Sequence, residues 1–528
     1  MQEGLGAWLD GHARSRGDAP AVIAGGDTMN FARLAAESRR VAGGLARLGI
    51  GRGDRVAFWL PNVPAYLTLF FACARLGAIA AAVNTRFKAH EVGDIVGRSG
   101  AKALVLWPAF LDIPFLDILA EVPRGALDRL ETLILYSEPG DKPKVLPPIG
   151  RARTVAYADL LRGAELAGDG RRGDGVAMFT TSGTTKAPKF VLHAQSSVID
   201  HAADVAPGFT LDRPGAQVLQ MLPLCGVFGF TGTMAALQAG APIHTLPVFD
   251  VERAGRILKE FRIGQANATD DMIRRLLDWS NETVPFPDLR FMGFAAFNHT
   301  PAEMIAMADK RGLALVGLYG MSEVQALFSR QSETAPPAER AKGGGTPVSP
   351  KAGVRVRDPE SGRLLPAGEA GELEFKAPSL LKEYFGNPEA TREAFTDDGW
   401  FRSGDLGQLE GDGRFQYLTR MGDVMRLGGF LVAPAEVEDF LQRHPAVEVA
   451  QVVAVPTADG NRAVGFVTLK PGCAIDEATL LAHAKSGIAG YKVPKRIVAL
   501  AEMPTTSGPN GVKIQRARLR QMAVELVG

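Results

Sequence analysis

Cysteine is scarce in this 528-residue chain, which holds three: Cys73, Cys225 and Cys473. An odd number without CxxC spacing excludes a disulfide framework and a zinc ribbon. The thiols are expected to act as small buried hydrophobes in a reducing compartment. A surplus of one charge is also missing. Lys+Arg is 59 and Asp+Glu 58, a net charge of +1, so no global field steers the chain onto nucleic acid or an anionic membrane. The histidines form no HExxH motif, which excludes a zincin-type metal site, and GxxxxGK[ST] is absent, which excludes a Walker A loop. Uninterrupted apolar runs long enough to span a bilayer are lacking. Stretches 56–74 and 214–249 carry no charge, but Pro61, Asn62 and Pro64 break the first, and Gln217, Gln220, Gln238 and several Gly and Pro break the second. Both read as strand, loop and helix of a buried core rather than as transmembrane segments. The first residues lack the charged-then-apolar order of a signal peptide, so a cytoplasmic location is expected.

What is present fits a large globular chain. Apolar residues make up 46% and charged residues 22%, and at roughly 150 residues per domain the length allows about three or four domains or subdomains. Short apolar runs at 55–60, 79–83, 103–106 and 133–136 alternate with a helical pattern at 65–76 and with turns. That order predicts βαβ units and a mostly parallel sheet. Beyond about residue 345 the pattern changes to short strands at 354–356, 371–375 and 415–418 joined by Gly-containing turns, a small β-rich unit. From about 423 a compact α+β module follows. Pro434 opens a helix, 447–455 and 464–469 read as strands, and 476–485 reads as a helix.

The strongest local signal is FTTSGTTKAPK (179–189). An apolar strand, 176–179, runs into a loop with hydroxyls at Thr180, Thr181, Ser182, Thr184 and Thr185 around Gly183. Hydroxyls and exposed backbone N–H groups make a neutral cradle for phosphate oxygens, and Lys186 and Lys189 add positive charge.

Further motifs follow in a fixed order: LPLCGVFGF (222–230), LYGMSEV (318–324), GELEFKAPSLLKEYF (371–385), WFRSGDLG (400–407), LTRMGDVMRLGGFLVAPAEVE (418–438) and GVKIQR (511–516). With GRGDRVAFWLPN near the start, this set resembles the adenylate-forming superfamily of acyl-CoA synthetases, adenylation domains and luciferases, in its acyl-CoA synthetase branch. The resemblance covers nearly the whole chain. It implies an α/β fold with a large N-terminal domain, 1–421, made of two βαβ subdomains and a small β-barrel-like unit. That domain would be hinged near Gly422 to a small α+β domain, 422–528. It also implies ATP, Mg²⁺ and coenzyme A as cofactor and co-substrates.

Site roles come over residue by residue. The loop residues Thr181, Ser182, Gly183, Thr184, Thr185 and Lys189 resemble the phosphate loop. Tyr319 offers an aromatic face to adenine, Ser322 a hydroxyl to the α-phosphate, and Glu323 the magnesium-linked carboxylate. Asp405 resembles the ribose-binding carboxylate and Arg420 the arginine on ribose and phosphate. Tyr417 falls where members contact adenosine, and Ala295, Ala296 and Phe297 fall where a small-residue turn lies against adenine. Lys513 in KIQR resembles the catalytic lysine that neutralises charge at the α-phosphate. Gly428, Gly429, Phe430 and Lys492 resemble the coenzyme A side. The acyl pocket is expected from Val227, Phe228, Gly229, Phe230, Thr269, Gly317, Leu318 and Met321.

Several positions depart from the family pattern. Lys186 and Phe190 stand where glycines are usual. Gly226 replaces a common His at the acyl pocket, and Gln195 replaces another. Extra residues precede Lys513, with Val512 where Gly normally stands. The apolar pocket, without an acidic residue in CGVFGF, implies ATP-dependent activation of a hydrophobic monocarboxylic acid (fatty, alicyclic or aromatic) to acyl-AMP and then acyl-CoA. Alternatives are an acyl-AMP ligase loading a carrier protein, a luciferase-like oxygenase, and a non-catalytic nucleotide-binding regulator. The partners implied are small molecules, with no nucleic acid; the sequence leaves a homo-oligomer open.

Overall fold

The uncharged stretch 56–74 becomes the strand Arg55–Trp59 and the helix Pro64–Leu76. Pro64 opens the helix, where its missing N–H has no partner to lose, and Gly77 closes it in the left-handed conformation with φ 66°. The helix is buried on all sides, which is why its sequence shows almost no polar face. The second uncharged stretch becomes the strand Val218–Gln220, the helix Val227–Ala239 and the strand Ile243–Thr245. Among the described residues, no helix is long and apolar enough to cross a membrane. The computed structural model describes residues 3–111, 113–142, 149, 151–181, 188–295, 301–427, 430–457, 460–508 and 511–527. Of Arg124, Arg426, Phe430, Leu431, Ser507, Val512, Lys513 and Val527 only the backbone is described.

Two sheets carry the N-terminal part. The first has the strand order Glu383–Tyr384, Phe190–Ala194, Gly175–Thr180, Ile79–Ala82, Arg55–Trp59, Ala103–Leu106, Thr132–Leu135, Arg153–Ala156. Its central and far pairs are parallel, as the alternation of strands and helices predicts. Gly175–Thr180 and Phe190–Ala194 are antiparallel, so the Ser/Thr/Gly segment joins two neighbouring strands.

The second sheet has a parallel half: Ile243–Thr245, Val218–Gln220, Gln265–Thr269, Phe291–Ala295 and Leu315–Tyr319. It continues, antiparallel, through Ser329–Arg330, Gly343–Pro347, Phe415–Arg420 and Phe401–Leu409 to Gly371–Lys376 and Gly353–Arg357. The β-rich unit expected after residue 345 is therefore hydrogen-bonded to the second subdomain as the far end of its sheet. One apolar core runs between the two sheets. In it Phe230 lies 5.0 Å from Phe70 and 5.4 Å from Phe179, ring to ring.

The C-terminal α+β unit follows the expected order: helix Pro434–Gln442, strands Val447–Thr457 and Gly460–Leu469, then helix Glu477–Gly487. Asp476 caps the last of these by accepting from Thr479 N at 2.8 Å. Its buried residues form two clusters of their own. Of the three thiols, Cys73 is buried and Cys225 half-buried, but Cys473 is exposed. The expectation of three buried cysteines fails there, because Cys473 follows the turn at Gly472 rather than lying in a strand or helix.

One buried ion pair ties the first helices together. Arg75 is 1% exposed. Its guanidinium donates to Asp10 Oδ1 at 2.8 Å and Oδ2 at 2.9 Å, and to Ser38 Oγ at 3.0 Å. Removing Asp10 strands a charge in the core, so Asp10→Ala should lower unfolding stability by roughly 3 kcal/mol in a urea titration. Arg75→Met removes the buried charge and leaves Asp10 its second partner, Arg39 at 2.8 Å. It should cost less than Asp10→Ala.

Candidate functional site

The ends of the two sheets converge on residues 319–327. The Tyr319 hydroxyl donates to Asp405 Oδ2 at 2.6 Å, and Arg420 Nε lies 3.1 Å from Oδ1. Asp405 and Arg420 are cross-strand partners in register, which is why the motifs SGD and LTR meet. Asp405 Oδ1 is buried and makes no hydrogen bond among the described residues, its one near partner being the ion-paired Arg420. Burial pushes the Asp405 carboxyl up to about 6, against the pull of Arg420 and the Tyr319 hydroxyl. Tyr417 lies beside Tyr319, ring centroids 5.6 Å apart.

A second group stands at the neck of the hydroxyl loop. Lys189 N donates to Thr181 Oγ1 at 3.0 Å, and Thr181 N donates to Lys189 O at 3.0 Å. Lys189 Nζ lies 4.4 Å from the centroid of the Tyr384 ring, and the Tyr384 hydroxyl donates to Glu323 Oε1 at 2.9 Å. Burial and the adjacent Glu323 carboxylate push the Tyr384 phenol up, so it remains a donor. Glu323 is 7% exposed. Among the described residues no group of three His, Cys, Asp or Glu side chains could hold a metal. One hard carboxylate oxygen with its neighbour oxygen engaged by a phenol fits Mg²⁺ held jointly with nucleotide phosphates.

The chain between these groups takes an unusual path. Gln325, Ala326 and Leu327 have φ of 63°, 51° and 44°, three consecutive left-handed residues without a glycine, each costing on the order of 1 kcal/mol. They are held from outside. His201 Nε2 bonds Ala326 O at 2.8 Å, Thr231 Oγ1 donates to Gln325 O, and Gln325 Nε2 donates to Ser379 O at 3.2 Å. His193 Nε2 bonds Ser322 O at 2.7 Å. Burial lowers both imidazoles to about 4, so each stays neutral and donates.

Behind the turn lies a small cavity lined by Gln220, Leu222, Phe228, Gln265, Asn267 and Leu327 among others. The expected acyl residues divide around it. Phe228 lines it, whereas Leu318 lies on the strand Leu315–Tyr319 and Met321 packs with Tyr319, neither lining the cavity. Val227 opens the helix that covers it, after Gly226 as N-cap. Phe230 points into the core instead. Gly229 and Gly317 allow close backbone approach rather than open space: a Cβ would lie 2.5 Å from Pro223 O and 2.1 Å from Lys342 O respectively. Thr269 is buried at the start of the helix Asp270–Trp279. Gln195 accepts from Leu5 N at 2.7 Å and donates to Ala74 O at 2.8 Å, a structural role.

Ala295 ends the strand Phe291–Ala295, half-buried. Ser182, Gly183, Thr184, Thr185, Lys186, Ala296, Phe297, Gly428 and Gly429 lie outside the described residues. Lys513 is on the strand Gly511–Ile514 and Phe430 on the strand Phe430–Val432. Lys492 is ion-paired with Glu436. Gly422, in the turn Met421–Asp423, has open space around its Cα. Sequence reasoning passed over Tyr384, His193, His201, Gln220 and Asn267. Tyr384 alone had a signal, as the aromatic closing GELEFKAPSLLKEYF.

The family described as AMP-binding enzyme matches residues 9–385, and the one described as AMP-binding enzyme C-terminal domain matches residues 436–508. The chain belongs to the AMP-binding enzymes. It is 32% identical over 509 residues to a feruloyl-CoA synthase of an Amycolatopsis species, covering 96% of each chain. It is 29% identical over 506 residues to a long-chain-fatty-acid–CoA ligase of Mycobacterium tuberculosis, covering 93% of each. It is 29% identical over 510 residues to a sulfoacetate–CoA ligase of Cupriavidus necator, covering 94% of this chain and 92% of that one. The crystal structure of ATP-bound MatB from Rhodopseudomonas palustris superposes with a TM-score of 0.84 at 26% identity over 100% of both chains. The chain is thus in the acyl-CoA synthetase branch, an AMP-forming acid–thiol ligase. The relatives' acids are aromatic, long-chain and sulfonated, so kinship sets the reaction and leaves the acid open.

The Asp405 carboxyl, raised in the folded state, makes a signed prediction. Between its ordinary value of 3.8 and about 6 the folded protein holds the proton more tightly than the unfolded chain, so this group's contribution to stability falls as pH rises through that window. Asp405→Asn does not titrate. The melting temperature of the variant minus that of the native protein should rise between pH 4 and pH 7, as scanning calorimetry can read. A fall would mean that Arg420 favours the ionised form more than burial opposes it.

Proposed function

We propose that this AMP-binding enzyme activates a hydrophobic monocarboxylic acid with ATP and transfers the acyl group to coenzyme A. The observation that carries the reading is Asp405: a buried carboxylate with one oxygen accepting from Tyr319 and the other ion-paired with Arg420 but without a hydrogen bond, beside Tyr417. That is the arrangement a ribose diol needs, with acceptors for its hydroxyls and an aromatic surface close by for the base. The apolar walls from Leu222, Phe228 and Leu327 support a hydrophobic acid.

In this reading a carboxylate oxygen of the acid attacks the α-phosphorus and pyrophosphate leaves. Carboxylate and triphosphate repel, so charge must be offset where it builds up. The hydroxyl loop around Gly183 and Lys189 holds the departing phosphates, Ser322 faces the α-phosphate, and Lys513 neutralises the developing charge. Glu323, oriented by Tyr384, would hold Mg²⁺, which supplies neutralising charge to the phosphates. The small-residue stretch Ala295, Ala296 and Phe297 would border the base.

The second half-reaction needs a different face of the C-terminal unit. The division at 1–421 and 422–528, with rotation about Gly422, serves this by withdrawing Lys513 and presenting Gly428, Gly429 and Phe430 to the pantetheine arm. Open space around Gly422 and a glycine's free φ/ψ support the hinge. Lys492 would meet coenzyme A only by exchanging its Glu436 partner for a phosphate. The coenzyme A thiolate then attacks the acyl carbonyl carbon and AMP leaves. A cytoplasmic site of action belongs to the same reading.

The test is acid-dependent ATP–pyrophosphate exchange over a panel of fatty, alicyclic and aromatic acids. Exchange should depend on the acid and fall by at least about a hundredfold in Lys513→Ala, as expected for loss of one group stabilising transition-state charge. Thioester should form with free coenzyme A and be weaker with a carrier protein's phosphopantetheine arm. The reverse preference would make the enzyme a carrier-loading ligase. ATP binding without exchange for any acid would mark a nucleotide-binding regulator.

A further inference from the structure

The cavity behind the left-handed turn has an apolar wall and a polar floor. Three carboxamides meet there: Gln220 on the strand Val218–Gln220, and Gln265 and Asn267 on the strand Gln265–Thr269. Backbone carbonyls decide which way each amide faces. Gln220 Nε2 donates to Leu222 O at 2.6 Å, which leaves Oε1 as the free end. Gln265 Nε2 donates to Ala266 O at 3.0 Å and also to Asn267 at 2.9 Å. The Asn267 atom receiving that bond must be its oxygen, so its Nδ2 faces the other way.

Both free ends face one space. A methyl group built on Gly232, in the covering helix, would lie 3.7 Å from Asn267 Nδ2, 4.0 Å from Gln220 Oε1 and 4.0 Å from a methyl of Leu327. Among the described residues neither Gln220 Oε1 nor Asn267 Nδ2 has a hydrogen-bond partner, although Gln220 is only 5% exposed. The cavity measures about 10 Å³, room for one water-sized group. A buried acceptor and a buried donor at one small void form a site for a group that both donates and accepts. They disfavour a methyl or methylene end, which would leave both amides desolvated and unpaired.

We propose that this floor recognises a hydroxyl at the far end of the acid, donating to Gln220 Oε1 and accepting from Asn267 Nδ2, with Gly232 leaving the space for it. The inference rests on the ligase reading above and narrows it: the acid has an apolar body and a polar tip.

Exchange kinetics on matched acids separate the two claims. The probes are 4-hydroxybenzoate with benzoate, 4-hydroxycinnamate with cinnamate, and 6-hydroxyhexanoate with hexanoate, assayed on the native enzyme. In the pair whose length reaches the floor, the hydroxy acid should be favoured at least about tenfold in kcat/KM, the size of one to two buried hydrogen bonds. Asn267→Leu and Gly232→Ala should each abolish that preference, the first by removing the donor and the second by filling the space, with the change appearing mainly in KM. Good exchange that ignores the hydroxyl in all three pairs, or a preference unchanged in both variants, overturns the proposal and leaves the ligase intact. No exchange with any acid, hydroxylated or not, overturns the ligase reading and this proposal with it. The native comparison decides even where a variant does not fold.

Discussion

Everything near the candidate site depends on a turn that is unfavourable by itself. Gln325, Ala326 and Leu327 each adopt a backbone conformation in which a Cβ crowds the following carbonyl. The turn persists because two side chains from other elements, His201 and Thr231, bond its carbonyls, because the Gln325 amide reaches Ser379 O, and because Gly320 lets it fold back tightly: a Cβ there would lie 2.5 Å from Ala326 Cα. Its two ends face different tasks. Before it stand Tyr319 and Glu323, bonded to Asp405 and Tyr384. At its end stands Leu327, lining the cavity. In the proposed reading, the strain of one short segment sets the separation between nucleotide and acid.

The same segment also locks the sheets together. Leu381 N donates to Glu323 O at 2.8 Å, Lys382 N to Leu192 O at 2.7 Å, and the two-residue strand Glu383–Tyr384 pairs with Phe190–Ala194. A chain that leaves the second sheet at Gly371–Lys376 therefore adds an edge strand to the first. Tyr384 then reaches back from that edge to Glu323. Local rigidity here comes from backbone pairing on one side and the Tyr384 phenol on the other, which holds the Glu323 carboxylate in one direction.

Much of this was legible in the sequence, for identifiable reasons. Asp405, Glu323 and Arg420 each belong to a motif of the family's order, so the order of motifs picked them out as candidates, and the pairing of Asp405 with Arg420 follows from the register of their strands. The strands of the parallel sheets showed as short apolar runs between turns because both faces are buried. Other features gave no sign. Gln-Ala-Leu favours nothing left-handed, and the partners that hold it, His201 and Thr231, lie far away along the chain. The helix Val227–Ala239 is apolar on every face, so nothing separated Phe228, which faces the cavity, from Phe230, which faces the core. Gln220 and Asn267 read as polar interruptions in apolar stretches, and only the pairing of their strands into one sheet brings them to a common space. Gln195, singled out for standing where a histidine is usual, turned out to anchor the N-terminal helix.

The two imidazoles that grip the turn have a further meaning. An imidazole lowered to about 4 is, at any pH from 5 upward, an amide with a ring: one hydrogen to give, no charge, and a rigid reach longer than that of asparagine. Such a group braces the backbone at Ser322 and Ala326 without adding charge beside Glu323. Acidification that protonates surface histidines leaves this pair untouched, so the framework of the site is electrically silent while its ligands change charge.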